Sequence, residues 1–377
     1  MSARDKLLTQ EVPVIIINMI YGIGTITLPS LLARSAGPDG IIAYLAAVAV
    51  YIIGTVLIIL LVQRFPNHGL ADYSPMLLGT VPGFAVNLLF TLYLIFLVSA
   101  VMRAFAEVTK FFLLPRTPIE AIMLSMLFTT SILARNGLQP IARACQIILY
   151  VFFIPFLVIP LFVSVFDTGE FLPLFQEKPA VIAKAAYNSI FSLTGVEIML
   201  VLGSHSENSK RLMRPALIGV AIVLTMILIA VVMAFGSLSV DQTAKLTDPL
   251  FEMIKYVPVP YSILERIDIS FYTVWIAATY STLVIGLFTA SHHVAEIFKL
   301  DNGKGFVFPL AAVVYFLALI PKNENEVLAF NIMLGAAWLA LTFGLVPLLL
   351  VLSKIRNPKG AKKQMQQPQK KNRKANP

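Results

Sequence analysis

The segment GIGTITLP, Gly22–Pro29, interrupts the first long apolar run of this 377-residue chain, and SLTGVE, Ser192–Glu197, interrupts the sixth. Glycine is a poor helix former and proline lacks a backbone donor, so each segment predicts a break near the middle of a helix. Gly22 and Gly195 are 173 residues apart, close to half of the apolar body. Matched breaks in two halves are typical of membrane folds built from inverted repeats, whose unwound backbone binds a ligand. We therefore predict a five-plus-five repeat with broken helices one and six. The alternative is that these glycines only let neighbouring helices approach closely.

The composition excludes a soluble protein. Hydrophobic residues make up 58% of the chain and charged residues 13%, against about 45 to 50% and 25% in an average soluble domain. A membrane-crossing helix needs about 20 mostly apolar residues. Runs of this kind predict an all-α integral membrane protein with ten transmembrane helices. Their predicted ranges are 11–33, 40–62, 82–110, 118–134, 141–166, 181–203, 213–238, 266–297, 305–320 and 327–353.

The excess of positive charge lies in the carboxy-terminal tail. Residues 354–377 contain nine Lys or Arg and no acid, which leaves residues 1–353 with 20 bases and 20 acids. We therefore divide the chain into a polytopic transmembrane domain, 1–353, and a basic disordered tail, 354–377, and expect no nucleic-acid partner. The positive-inside rule places both termini in the cytoplasm. There the tail is expected to anchor the topology against anionic lipid headgroups, or to dock a partner protein.

Ionisable residues within spans are functional candidates by default. Glu197 adjoins the predicted break in span six, where the amino-terminal end of a helix favours a carboxylate. Its carboxylate is expected either to contact a ligand or to tie the break to another helix. Arg103 and Glu107 lie four residues apart on span three and can pair on one helix face. The alternative for that pair is that it snorkels towards the outer surface.

Metal and catalytic chemistry are not expected. His292, His293 and Glu296 could suggest a metal site, but adjacent histidines on a helix point to different faces, so we predict no metal and no cofactor. The single cysteine, Cys145, excludes an intrachain disulfide. The sequence lacks the phosphate loop, the Gly-x-Ser-x-Gly motif and the His-Glu-x-x-His motif. An enzyme is therefore not expected, and an ATP-driven pump would need a nucleotide domain for which there is no room.

Four segments of the chain resemble one family of membrane proteins. They are GIGTITLP at Gly22–Pro29, AEVTKFFLLPRTPIE at Ala106–Glu120, GVEIML at Gly195–Leu200 and LERID at Leu264–Asp268. The chain is similar, almost end to end, to the B subunits of the nutrient germinant receptors of bacterial spores. This GerAB-type spore germination family belongs to the amino acid–polyamine–organocation (APC) superfamily of transporters.

The resemblance implies a LeuT/APC-type fold and a receptor subunit in the spore inner membrane. It also implies partners: a small nutrient germinant (an amino acid, a sugar or a nucleoside), an A subunit and a lipoprotein C subunit. A secondary amino acid transporter of the APC superfamily is the alternative, because a fold alone does not separate sensing from transport. Carried over by position, the resemblance implies a ligand pocket walled by Gly22, Ile23, Gly24, Tyr93, Leu97, Thr194, Gly195, Glu197, Ser281 and Thr282.

Two of these positions depart from the pattern expected in relatives. Ile23 stands between two glycines where a smaller residue is expected, and Thr194 stands where an apolar residue is common. Both changes alter the shape of the pocket, so the identity of the germinant is not inherited from a relative. The polar side chains of Tyr93, Ser281 and Thr282, together with Asn18, have a second interpretation as hydrogen-bonding groups between helices.

Overall fold

A computed structural model of the chain describes residues 6–22, 24–154, 159–162, 164–253, 267–300 and 302–356. These residues are predominantly helical, and all ten predicted runs contain helix. The fourth and ninth runs, the shortest of the ten, are occupied by helices Ile119–Asn136 and Val307–Ala318. The all-α prediction is confirmed. The tail beyond residue 356 lies outside the described residues.

Within the described part of the chain, five helical stretches are long and apolar enough to cross a membrane by length and composition. They are Gly24–Arg64, Thr80–Phe112, Met213–Leu238, Phe271–Ile297 and Glu324–Ile355. A bent pair, Pro179–Leu193 with Val196–His205, adds a sixth. Shorter apolar helices at Glu11–Tyr21, Leu138–Val151 and Val307–Ala318 lie in predicted spans one, five and nine.

Several spans are composite. Span one consists of Glu11–Tyr21 and Gly24–Ala36, and a short 3₁₀ turn leads directly into span two, Gly40–Arg64. Span eight is one helix, Ile267–Ile297. Span ten contains a π-helical turn, Ala340–Leu345, which the sequence pattern did not predict.

Contacts between loops define two ends of the helix bundle. At one end, which we call the inner end, the backbone of Leu7 exchanges hydrogen bonds with His205 and Glu207, each 2.9 Å long. At the other end, the outer end, Asp39 accepts hydrogen bonds from the backbone N–H groups of Phe175, at 2.6 Å, and Glu177, at 2.8 Å. Each end therefore gathers loops that the alternating spans place on the same side.

The broken spans lie at the centre of the bundle. The first half of span one packs against spans seven and eight, and span eight packs against span three, Thr80–Phe112. Span two packs against the first half of span six. Side chains around the breaks are consequently buried, and this burial positions the candidate site.

Candidate functional site

Both predicted helix breaks are present. In span one the first helix ends at Tyr21 and the second begins at Gly24. Gly22 lies between them, and Ile23 lies outside the described residues. The unwinding is narrower than the sequence predicts, because Pro29 lies inside the second helix instead of breaking it. Membrane helices tolerate proline when neighbouring groups satisfy the freed backbone.

Span six breaks at Thr194 and Gly195. A 3₁₀ turn, Ile190–Leu193, precedes these residues, a second turn, Val196–Ile198, follows them, and the two halves of the span are bent by 49°. Gly195 has φ +146°, a conformation that side-chain-bearing residues rarely adopt. The backbone conformation therefore requires glycine at this break.

The two breaks pack directly on each other. A Cβ added to Gly24 would collide with the backbone of Ser192, lying 2.6 Å from its Cα. A Cβ on Gly195 would lie 2.8 Å from Cγ1 of Ile20 and 3.0 Å from Cγ of Met19. These glycines thus permit a close approach of unwound backbone from spans one and six. The observation combines both sequence-based interpretations, since the same glycines break the helices and bring them together.

Glu197 is fully buried and holds the break in span six. Its Oε1 accepts a hydrogen bond from the Tyr93 hydroxyl at 2.8 Å. Its Oε2 accepts two more, from the backbone N–H of Gly195 at 2.8 Å and from Nε1–H of Trp338 at 2.9 Å. The carboxylate therefore ties the unwound turn to spans three and ten. We call Glu197, Tyr93 and Trp338 the carboxylate latch.

Tyr51 of span two supports this latch. Its ring stacks on Trp338 with centroids 5.0 Å apart, and its hydroxyl accepts a hydrogen bond from the N–H of Val196 at 3.1 Å. Gly54, one turn along span two, leaves room for the indole, because a Cβ there would lie 2.6 Å from a ring carbon of Trp338. The second span thus fixes the tryptophan that binds Glu197.

Ser281 and Thr282 form a second polar group, on span eight. The Thr282 hydroxyl lies 2.9 Å from the carbonyl oxygen of Asn18 and 3.3 Å from that of Met19. The Ser281 hydroxyl lies 2.7 Å from the carbonyl of Ala278, within its own helix. The single hydroxyl hydrogen of Thr282 can therefore be donated to a backbone carbonyl at the end of the first half of span one, with that of Asn18 at the shortest distance.

Gly22 belongs to this second group, since a Cβ on it would lie 2.5 Å from Oγ1 of Thr282. Leu97 is buried on span three, one turn from Tyr93. The Thr194 hydroxyl donates to the carbonyl of Phe191 at 2.8 Å, so it satisfies the local backbone of the break. The structure therefore gathers the described candidate residues around two adjoining groups, the carboxylate latch and the span-one end.

Sequence reasoning missed Tyr51 and Trp338. Both lie in spans without a predicted break, so no local pattern marks them. One available signal is that the chain has only two tryptophans, and a buried indole N–H needs an acceptor. The Arg103–Glu107 pair was predicted from its spacing and is confirmed, with Nε and Oε1 2.7 Å apart.

An apolar cavity lies on the outer side of the span-one break. Its wall includes Tyr21 and Ile26, which flank the break, together with Met226, Phe251 and Trp275. None of the described residues predicted to wall the pocket lines this cavity. The cavity adjoins the break in span one, and Glu197 is not part of its wall.

Broken helices packed at the centre of an all-α membrane bundle define a class of protein, the LeuT/APC-type transporter fold. A solved structure of MhsT in complex with L-phenylalanine has this fold, with a TM-score of 0.69, and the match covers 90% of this chain and 87% of that one at 16% identity. The predicted fold class is confirmed.

The chain belongs to the spore germination protein family, because the family model with that description, Spore_permease, matches residues 6–327. Spore germination protein YndE of Bacillus subtilis strain 168 is 30% identical over 358 residues, covering 94% of this chain and 98% of the relative. Spore germination protein A2 of the same strain is 28% identical over 338 residues, covering 89% and 92%. The resemblance stated from sequence is confirmed, and the chain is a multi-pass membrane protein of this family.

Proposed function

We propose that this chain is the B subunit of a nutrient germinant receptor, and that it binds a small germinant in mid-membrane at the meeting point of the two helix breaks. The observation that carries the proposal is the glycine contact between the breaks, which brings unwound backbone of spans one and six together. Unwound backbone at mid-membrane offers amide and carbonyl groups to a ligand. The relatives named as spore germination proteins give this pocket its biological context.

The residues divide into two roles in this proposal. Gly22, Ile23, Gly24, Gly195, Leu97, Thr194, Ser281 and Thr282 wall the pocket. Tyr93 and Glu197 are positioning residues, because their hydrogen bonds go to protein groups that hold the break in span six. A germinant with higher affinity for one arrangement of the breaks shifts the population towards it.

The proposal also assigns a location and partners. The chain lies in the spore inner membrane with both termini in the cytoplasm, and it passes the conformational shift to an A subunit and a lipoprotein C subunit. It performs no catalysis. The direct test is deletion of this chain, which should abolish germination of spores with one germinant and leave responses through other receptors intact. A strain without this chain that responds normally to every nutrient would contradict the proposal.

A secondary amino acid transporter is the second candidate, supported by the fold shared with MhsT in its complex with L-phenylalanine. Reconstitution in proteoliposomes separates the two functions. The receptor proposal predicts germinant binding without accumulation inside the vesicles. Accumulation driven by an ion gradient would favour the transporter.

A further inference from the structure

Three side chains with metal-binding atoms meet at the inner end of spans six and eight. His205 ends the second half of span six. His292 and Glu296 lie one turn apart on span eight, so they share a helix face. His293, the adjacent histidine, stands edge-on to Phe90, and its Nδ1 lies 3.8 Å from Oε2 of Glu296. The two adjacent histidines therefore face different oxygens of Glu296, and the imidazole that completes the group around Oε1 comes from span six.

The distances fit a single cation. Nε2 of His292 is 2.9 Å from Nε2 of His205, and Oε1 of Glu296 is 3.6 Å and 3.9 Å from those two nitrogens. The circle through three atoms at these separations has a radius of about 2.0 Å, which equals the bond length of Zn²⁺ to imidazole nitrogen or carboxylate oxygen. One ion can therefore bond to all three atoms with little movement of the side chains.

The surroundings prepare His205 as a ligand. The Ser204 hydroxyl donates its one hydrogen to the carbonyl of Val201 at 2.6 Å and lies 2.8 Å from Nδ1 of His205. Nδ1 must then carry the proton in the His205–Ser204 bond, which leaves a lone pair on Nε2. A hydrogen bond from the other ring nitrogen is the usual support for a metal-bound histidine.

Glu296 is similarly held and incompletely satisfied. Its Oε2 is buried without a hydrogen-bond partner. Gly69 makes space for this carboxylate, because a Cβ there would lie 2.8 Å from Oε2. A buried carboxyl group that lacks hydrogen bonds and lies among imidazole nitrogens is incompletely satisfied, and a bound cation is one way to satisfy it.

We propose that His205, His292 and Glu296 form a binding site for a divalent transition metal such as Zn²⁺, which links the second half of broken span six to span eight. Two imidazoles and one carboxylate favour Zn²⁺, Co²⁺ or Ni²⁺ over Mg²⁺ and Ca²⁺, which prefer oxygen ligands. The side chains of His205 and Glu296 retain 13% and 16% of their exposure, so water can supply a fourth ligand. The site lies away from the carboxylate latch and does not depend on the identity of the germinant.

The test is zinc binding to the purified full chain after chelation, measured by calorimetric titration with ZnCl₂ and checked with MgCl₂. The expected result is one Zn²⁺ per chain and no comparable Mg²⁺ binding. His205→Asn and Glu296→Gln should each abolish this binding, and Ser204→Ala should weaken it by about 10- to 100-fold. His68→Asn is the matched control, because the His68 side chain pairs with Asp72 and is not one of the three proposed ligands, and it should bind like the original chain.

X-ray absorption of the zinc-loaded original chain needs no variant, so its result does not depend on whether the variants fold. The expected spectrum shows two imidazoles and at least one oxygen around zinc. Failure of the original chain to bind zinc, or equal binding by His205→Asn and the original, would overturn the site. The histidine pair would then be only a hydrogen bond between the two rings.

Discussion

Replacing Glu197 tests whether the carboxylate latch controls the response to germinant. Glu197→Ala removes the acceptor of three buried donors, the hydroxyl of Tyr93, the N–H of Gly195 and the indole N–H of Trp338. A buried donor left unsatisfied costs about 1 to 3 kcal/mol. One such loss corresponds to roughly a 5- to 150-fold change in an equilibrium. We expect the germinant concentration for half response to rise by at least that factor.

Glu197→Gln is the milder variant. Its single amide oxygen can still accept from Gly195 and Trp338, and its amide nitrogen can donate to the Tyr93 hydroxyl, which accepts equally well. The number of hydrogen bonds is kept while the carboxylate is lost. The germinant concentration for half response should therefore rise less than for alanine, by about 5-fold, which corresponds to about 1 kcal/mol. Tyr93→Phe removes one donor to Glu197 and completes a double-mutant cycle.

The assay is a dose-response series of spore germination at matched receptor levels, since misfolding would also reduce the response. Phe96→Leu provides a control on span three, where the Phe96 ring packs edge-on against Phe330 and makes no hydrogen bond to Glu197. Identical curves for the original chain, Glu197→Gln and Glu197→Ala would refute the assigned role. Additive effects of Glu197→Gln and Tyr93→Phe would show that the two side chains act independently.

Three further predictions test the break, the topology and the outer end. Gly24→Val should abolish the germinant response, because the valine side chain would collide with the backbone of Ser192. A stable variant with a normal response would show that the germinant does not bind at this position. A cysteine placed at Pro377 should react with an impermeant thiol reagent only after the membrane is opened. The background should be low because Cys145 is buried. Labelling of intact cells would show that the tail lies on the opposite side of the membrane. Burial, with smaller effects from nearby acids, raises the pKa of Asp248 at the outer end from 3.8 to about 7. The free energy of unfolding should therefore fall by about 4 kcal/mol as the pH rises from about 4 to 8; Asp248→Asn should remove this dependence in thermal unfolding series, and an unchanged dependence would contradict the assignment.

Local signals explain what the sequence predicted well. Glycines at 22, 24 and 195 act through their own backbone, so both breaks could be located from residue type and spacing. Apolar length likewise located the runs that became helices. The sequence-based prediction overstated the unwinding around Pro29. The free-energy cost of a proline within a membrane helix depends on the packing of neighbouring helices, which the sequence does not show.

Long-range contacts explain what sequence reasoning missed. Trp338 is 141 residues from Glu197 along the chain, and His205 is 87 residues from His292. Neither pair shares a periodic pattern, so only the packing of the spans brings them together. The expected role of Glu197 was open between ligand contact and support of the break, and its three protein donors favour support.

Substitutions in the pocket wall are the sharpest test of germinant binding where the two breaks meet. A panel of amino acids, sugars and nucleosides should be screened on spores carrying Leu97→Ala or Thr194→Ala, with Leu127→Ala as a buried control on span four. We predict that the two wall variants change which germinants work while the control retains the original preference. An unchanged germinant preference in both wall variants, at normal receptor levels, would contradict it.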